Sequence, residues 1–398
     1  MKERVYARRC TRFLAKKEGI QMKNFSYELP VHLEFGWDRI NHTGELIAFM
    51  GNRALVVVSK GGSAMRSGVL KRIETSLQEQ NISYEIFSEV LPNPGFREVQ
   101  KGAAAAKAMQ AQFVIAVGGG SVIDCAKGIA FAACNEGFLG EYIKRRKQGV
   151  TALPIVAIPT TCGTGSECTP FAVLTDEEMH DKRALYTRNI LPSLAIIDPS
   201  TMTGMPVHVL AAVAFDALCH HMEAYLSSAC SPMTEMQSLY GMQLFNRYAR
   251  QISSGMTPAA WEGLALCSTL GGMSIALSGV TAPHGLEHPL SGLRNVTHGR
   301  GLAVLTPIIF SRSIDAAPQR FASISNQLGG RDERDLVPIL QSFIALWELP
   351  TTLAQEGAQD TDIPWLVKNA MRSSRGAIMS HPKVFSKEEI QQIYESCM

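Results

Sequence analysis

Asp216 and His220 stand four residues apart in Phe215-Asp-Ala-Leu-Cys-His-His-Met-Glu-Ala-Tyr225. The apolar run around them, Val209 to Leu226, contains no Gly or Pro. Four residues is slightly more than one helical turn, so both side chains project from one helix face. A carboxylate buried among apolar residues is costly unless it is paired or ligates a metal. A second cluster follows at Pro283-His-Gly-Leu-Glu-His-Pro-Leu-Ser-Gly292, then Val296-Thr-His-Gly299. Carboxylate and imidazole donors suit Fe(II) or Zn(II) on ligand softness. Asp216, His220, His284 and His298 are therefore read as ligands of one divalent cation. A catalytic metal keeps an open position. His288 is accordingly left outside the set, as the proton carrier, with a neutral pKa expected near working pH. His221 points some 100° away from His220 around the helix and is assigned to ligand support or packing. His32, His42, His180, His208 and His381 are isolated and are read as ordinary hydrogen-bonded histidines.

Two glycine-rich turns offer a site for a second reactant. Gly118-Gly-Gly-Ser121 lies between the strand-like Phe113–Val117 and a helical stretch, Val122–Ala133. Thr160-Thr-Cys-Gly-Thr-Gly-Ser166 follows the strand-like Pro154–Ile158. Glycines let backbone N–H groups approach phosphate oxygens, and a helix N-terminus attracts them. Neither turn is GxGxxG, so a generic Rossmann assignment does not apply. Two such turns at the C-terminal ends of parallel strands point to a dinucleotide or phosphate site. A third strand ends in Ser59-Lys-Gly-Gly-Ser63. It carries no carboxylate to bind a ribose 2′-hydroxyl and repel a 2′-phosphate. Lys60, Gly61, Gly62 and Ser63 can accept that phosphate instead, which favours NADP(H) over NAD(H).

The elements that must position these groups change in kind along the chain. Strand, turn and helix alternate from Ala54: strands at Ala54–Ser59, Tyr84–Phe87, Phe113–Val117, Pro154–Ile158 and, last, Leu194–Asp198, with helices at Val69–Gln80, Phe96–Gln110 and Val122–Ala133. This alternation predicts a mostly parallel, doubly wound sheet. From Pro206 helical periodicity takes over, at Val209–Leu226, Pro232–Gln251, Ala260–Ser278, Pro318–Asn326, Leu336–Leu346 and Lys387–Glu395. The fold expected is an α/β dinucleotide-binding domain over residues 22–205 and an all-helical, metal-binding domain over 206–398. Residues 1–21 are basic and read as a loose extension, or as sequence upstream of a true start at Met22. Val150–Thr160 and Leu302–Phe310 read as buried strands or core segments, and no uninterrupted apolar run reaches the ~18 residues of a spanning helix.

The chain has 398 residues, is 46% hydrophobic and 19% charged, and carries a net charge of +2. That balance suits two soluble domains and gives no electrostatic footprint for nucleic acid or an anionic membrane. Its nine cysteines are scattered, with no CxxC. They are read as free thiols in a reducing cytoplasm.

Together these segments resemble the iron-containing (group III) alcohol dehydrogenase family. The resemblance rests on Gly118-Gly-Gly-Ser-Val-Ile-Asp-Cys-Ala-Lys127, Pro159-Thr-Thr-Cys-Gly-Thr-Gly-Ser-Glu167, Phe215-Asp-Ala-Leu-Cys-His220 and His284-x3-His288-Pro-Leu-x7-His298-Gly299. Ser59–Gly68 is similar to the butanol-dehydrogenase-like branch, whose members commonly use NADPH, although that branch has Tyr-Gly at the place of Ser59-Lys60. Ala214 stands where many relatives have Gly. The resemblance implies a dehydroquinate synthase-like, two-domain fold with the site in the cleft. It implies iron, or sometimes zinc, at Asp216, His220, His284 and His298. It also implies dinucleotide contacts from Gly119, Gly120, Ser121, Asp124, Thr160, Thr161, Thr164, Ser166 and Lys182. The expected reaction is hydride transfer between a nicotinamide and a small primary alcohol or aldehyde, in a homodimer or larger assembly. Two other readings are a metal-dependent lyase related to dehydroquinate synthase and a non-catalytic scaffold subunit. The lyase would need a basic cluster for a phosphorylated substrate, and Arg294 and Arg300 are the only cations near Glu287–Arg300.

Overall fold

The computed structural model describes residues 24–144 and 146–398. The basic extension expected over residues 1–21 lies outside the described residues. Eight strands are present among the described residues: β1 (His32–Phe35), β2 (Arg53–Ser59), β3 (Ser83–Val90), β4 (Phe113–Gly118), β5 (Ile155–Pro159), β6 (Phe171–Asp176), β7 (Asp181–Tyr186) and β8 (Leu194–Ile197). Six of them form one parallel sheet in the order β1-β8-β5-β4-β2-β3. The central strands β4, β5 and β8 are buried along their whole length. A strand covered on both faces has no solvent side, which is why these segments are continuous apolar runs.

Three helices cover the sheet: α1 (Val69–Glu79), α2 (Phe96–Ala108) and α3 (Gly120–Cys134). Val69, Leu70, Ile73 and Leu77 of α1 pack on Val56, Val58, Ile115 and Val117. Alternate residues of the same strands, Leu55, Val57, Val114 and Ala116, face α2 and α3. Gly102 lets those two helices touch, since a Cβ there would stand 2.2 Å from Ile129 Cδ1.

The helical half comprises α4 (Val207–Leu226), α5 (Pro232–Tyr248), α6 (Pro258–Ser278), α7 (Ala282–Arg294), α8 (His298–Ser311), α9 (Pro318–Gln327), α10 (Leu336–Leu346), α11 (Ile363–Ser373) and α12 (Lys387–Cys397), with shorter turns between them. Every residue of α4 from Ala214 to Leu226 is buried, so α4 is the axis of this half. α6, expected over Ala260–Ser278, is long and apolar enough by length and composition to cross a membrane, yet 67% of its most apolar stretch is buried inside the fold.

Other differences from the sequence reading have local causes. Leu302–Phe310 is helix, part of α8, not strand: it lies against α4 and α12, and its Pro307 is carried inside the helix by that packing. α7 escaped notice because Pro283 and Pro289 break its pattern; Pro283 sits in the first turn, where no N–H is needed. β1 is too short to signal itself. β6 and β7 form an antiparallel hairpin outside the sheet, so Leu194–Ile197 is not the only strand after β5.

A candidate metal centre in the interdomain cleft

β2, β4 and β5 run parallel and end on one side of the sheet, and the turn after β5 meets the helical half, Gly163 against Val213 and Gly165 against Gly272. Across that gap α4 presents Asp216, His220 and Glu223 at i, i+4 and i+7, all buried. α7 adds His284, Glu287 and His288, and α8 opens on His298.

Asp216, His220 and His284 offer donor atoms within 4.8 Å of one another, and His298, itself grouped with Glu287 and His288, reaches Asp216. His220 Nε2 and His284 Nε2 each lie 3.4 Å from Asp216 Oδ1, and His298 Nε2 lies 3.7 Å from it. Asp216 Oδ1 and His284 Nε2 are buried with no hydrogen-bond partner. Zn–N and Zn–O bonds of about 2.0–2.2 Å would put tetrahedral donors roughly 3.4 Å apart. The spacing, the donor types and the two unpartnered atoms therefore fit a divalent cation.

The far side of each imidazole is held as a metal ligand requires. His220 Nδ1 donates to the Gly163 carbonyl at 3.2 Å. His284 Nδ1 donates to Glu223 Oε1 at 2.5 Å, and His298 Nδ1 to Glu287 Oε2. Each partner takes the Nδ1–H and turns Nε2 toward the common point, where a bound cation would replace any Nε2 proton. Glu223 and Glu287 were missed in the sequence reading, although their spacing, Asp216+7 and His284+3, places them on the ligand faces. Gly163 could not have been found that way.

Charge is balanced by proximity. Burial works against Asp216, but His220, His298 and His284 outweigh it and hold its carboxyl well below the usual range. Burial pushes His220 down to about 4. Burial also opposes the charged form of His284, yet Glu223 and Asp216 prevail and raise it to about 10. His288 stacks on His298 with centroids 5.5 Å apart. Burial and the charge of His298 hold His288 well below the ordinary histidine value, a correction to the expectation of a pKa near working pH. His221 faces away, with Nε2 2.9 Å from the Cys267 carbonyl and its ring against Gly241.

A cleft of about 300 Å³ brings Gly120, Ser121, Asp124, Thr164, Ser166 and Lys182 together with Asp216, His220, His284, His288 and His298. Asp124 accepts from Ser166 Oγ at 2.5 Å and from Val173 N at 2.9 Å. Burial lowers the Lys182 pKa, opposed by Glu287, Asp216 and Asp124. Gly119, Thr160 and Thr161 do not line this cleft. Gly119 and Thr161 lie against each other, a Cβ on Gly119 standing 3.1 Å from Thr161 Oγ1. Gly61, Gly62 and Ser63 also lie outside it, at the end of β2, beside β4. Gly62 has φ +66°, a conformation that favours glycine.

Lys127 was quoted in a motif but assigned no role. It is fully buried, and its three Nζ protons are shared among four acceptors, Ser166 O (2.7 Å), Ser166 Oγ (2.8 Å), Thr169 Oγ1 (2.9 Å) and Phe171 O (2.8 Å). It ties α3 to the Thr160–Ser166 turn and to β6.

Residues 30–199 match the family described as iron-containing alcohol dehydrogenase, and residues 210–398 match its C-terminal region. The chain is 33% identical to 1,3-propanediol dehydrogenase of Klebsiella pneumoniae over 381 residues, covering 93% of this chain and 98% of that one. It superposes on a crystal structure of a 1,3-propanediol oxidoreductase with a TM-score of 0.88 at 32% identity, covering 94% of this chain and 100% of that chain. The NADH-dependent butanol dehydrogenase A of Thermotoga maritima gives a TM-score of 0.86 at 27% identity, covering 94% and 99%. Matched in both halves and along nearly its whole length, the chain belongs to the iron-containing alcohol dehydrogenase family, and it is a metal-dependent alcohol dehydrogenase.

Proposed function

We propose that the protein interconverts a short-chain primary alcohol and its aldehyde, using NADP(H) in preference to NAD(H), with Fe(II) at the metal centre and Zn(II) as the alternative ion. The observation that carries this reading is the meeting of three imidazole Nε2 atoms on Asp216 Oδ1 beside the Gly120–Asp124 turn. A cation held by Asp216, His220, His284 and His298 supplies Lewis-acid polarisation of the substrate oxygen, and a bound nicotinamide supplies or takes the hydride.

The chain's own residues do the rest. His288 sits beside the candidate ligands with a neutral ring; held well below the ordinary histidine value, it would relay the alcohol proton as a hydrogen-bond donor and acceptor rather than hold it as an imidazolium. Asp124, Ser166 and Thr164 shape the dinucleotide side of the cleft, held in place from behind by Lys127. Phe171, Val173 and Ile275 supply apolar wall, which keeps water from the reacting carbon. Lys182 is the one Lys or Arg among the described cleft residues. A small uncharged substrate suits that wall better than a phosphorylated one.

At the end of β2, Ser59 and Ser63 hydroxyls approach to 3.3 Å, and Arg66 reaches the Gly61 carbonyl. These groups and Lys60 can bind a 2′-phosphate, and no carboxylate stands there to repel it. The NADH named for the Thermotoga maritima enzyme is that enzyme's own. We place the protein in a reducing cytoplasm, in keeping with free thiols at all eight described cysteines. We also read it as a homodimer or larger: among the described residues β1 is an edge strand, with Leu33 and Phe35 exposed, and such an edge invites a second copy.

The test is to load the protein with Fe(II) or Zn(II), add NADPH or NADH, and follow near-ultraviolet loss of the reduced cofactor across a panel of short aldehydes. Faster turnover with NADPH at equal concentration is the expected result. No oxidation of either cofactor by any aldehyde would end the dehydrogenase reading, and a preference for NADH would end the cofactor assignment alone.

A further inference from the structure

His381 follows the short helix Arg375–Ser380 and takes no part in the reaction described above. It is nonetheless among the buried polar residues, at 3% exposure. Its ring lies between Phe310 of α8 and Phe385, with centroids at 6.2 and 5.8 Å and planes within 14° and 23°. Each ring nitrogen meets a hydroxyl: Nδ1 is 3.1 Å from Thr281 Oγ1, and Nε2 is 2.9 Å from Ser313 Oγ.

The proton positions follow from the neighbours. The Ser313 hydroxyl donates to the Ile309 carbonyl at 2.6 Å, so it accepts from His381 Nε2–H. Burial keeps the ring neutral, so Nδ1 carries a lone pair and the Thr281 hydroxyl donates to it. Thr281 is the residue before the first turn of α7, where a threonine oxygen ordinarily accepts from the helix's own N–H groups. Here it makes no such bond. Glu223 of α4 does that work: its Oε2 accepts from Thr281 N at 2.7 Å and His284 N at 3.4 Å, while Oε1 takes His284 Nδ1–H. The contact from Thr281 Oγ1 to Glu223, at 3.3 Å, is longer than the one to His381.

We propose that His381 is a positioning residue of the metal centre: by holding the Thr281 hydroxyl it fixes the start of α7 against Glu223 of α4, and so aims His284 at the cation. The inference rests on the reading that Asp216, His220, His284 and His298 hold a divalent ion. It joins the end of α8 and the segment after Ser380 to a candidate ligand 97 positions earlier in the chain, from His381 Nδ1 to the Thr281 hydroxyl, from Thr281 N to Glu223 Oε2, and from Glu223 Oε1 to His284 Nδ1.

His381→Phe keeps the ring and its stacking but removes both nitrogens, and Thr281→Val removes only the hydroxyl. Zn(II) affinity is measured by competition with a chromophoric chelator, and ligand geometry by the visible absorption of the Co(II)-loaded protein. Each folded variant is expected to bind Zn(II) about tenfold more weakly than wild type, with altered Co(II) bands. The double variant is expected to be no weaker than the worse single one, because both remove one link. Unchanged affinity and unchanged Co(II) bands in His381→Phe overturn the proposal, as do losses that multiply in the double variant. If His381→Phe does not fold, Thr281→Val alone decides, by the same two readouts. A wild type that binds neither Zn(II) nor Co(II) overturns the metal reading itself, and this inference with it.

Discussion

Three imidazoles share one carboxylate oxygen, and each is anchored behind by a different acceptor: a backbone carbonyl at Gly163, and carboxylates at Glu223 and Glu287. Two buried carboxylates on the outer side of two ligands are costly in isolation. Their charge is compensated by the imidazoles they orient. Glu287 is held low by His298 despite its burial, and Glu223 is held low by His284. His381 gives a pH dependence that can be measured separately from the metal. Burial lowers it from 6.5 to about 4. Between those values the unfolded chain binds a proton that the folded protein does not, so stability falls as pH falls through this window. The difference of about 2.5 pH units corresponds to roughly 3 kcal/mol at most, at 1.36 kcal/mol per unit. Wild type should therefore lose up to that much relative to His381→Phe between pH 6.5 and about 4. Chemical denaturation of both proteins across this range checks it; parallel acid limbs would refute it.

At the scale of elements, the site is a set of close approaches between pieces of the two halves. The turn after β5 is pressed against α6: a Cβ on Gly272 would stand 2.1 Å from the Gly165 carbonyl. That contact sets the height of Gly163, which in turn holds His220. Gly272→Ala should destabilise the fold by about 1–3 kcal/mol, the usual range for overpacking, and should weaken dinucleotide binding as well. Gly204→Ala, where a Cβ meets nothing within 4 Å, is the control and should change neither. Thermal unfolding with a cofactor titration decides it; equal behaviour of the two variants would mean the turn has slack. The hairpin is fastened in a comparable way. Asp181, at the start of β7, accepts from Asn369 (3.1 Å), Ser373 (2.9 Å) and Arg372 (3.2 Å) at the end of α11, and its neighbour Lys182 lines the cleft.

At the scale of the molecule, a cation held by the four donors would join segments that the chain separates widely. Asp216 and His298 are 82 positions apart, and both belong to the half that packs across the cleft from the sheet. An ion bound only by the folded arrangement stabilises it by mass action, about 2.7 kcal/mol at a hundredfold excess over Kd. Exhaustive chelation should therefore lower the Tm by several degrees, and added Fe(II) or Zn(II) should restore it. A Tm indifferent to both would show that the four donors do not hold a metal. Asn93 and Asn295, both in the left-handed region, hydrogen-bond at 2.6 Å at the mouth of the same cleft. The two halves therefore meet at the mouth of the cleft as well as across its floor.

Much of this was legible without coordinates. The continuous apolar strands were readable because both faces of β4 and β5 are covered, and burial of that kind writes itself into residue type. The shared face of Asp216 and His220 on α4 was readable because i, i+4 spacing places side chains on one face through local geometry alone. Glu223 and Glu287 obeyed the same rule and could have been taken from it. What local rules could not give is which groups meet from afar. α7 and the Leu302–Phe310 helix hold their shape by packing that overrides their prolines. The Gly163 carbonyl, the four acceptors of Lys127 and the place of His381 behind Thr281 depend on segments brought together only when the core closes. The sequence by itself determined the donor types and their faces, because those follow from side-chain chemistry and helical period. The tertiary structure alone decided their partners, because a hydrogen bond needs atoms within about 3 Å, and only the folded chain sets such distances between remote residues.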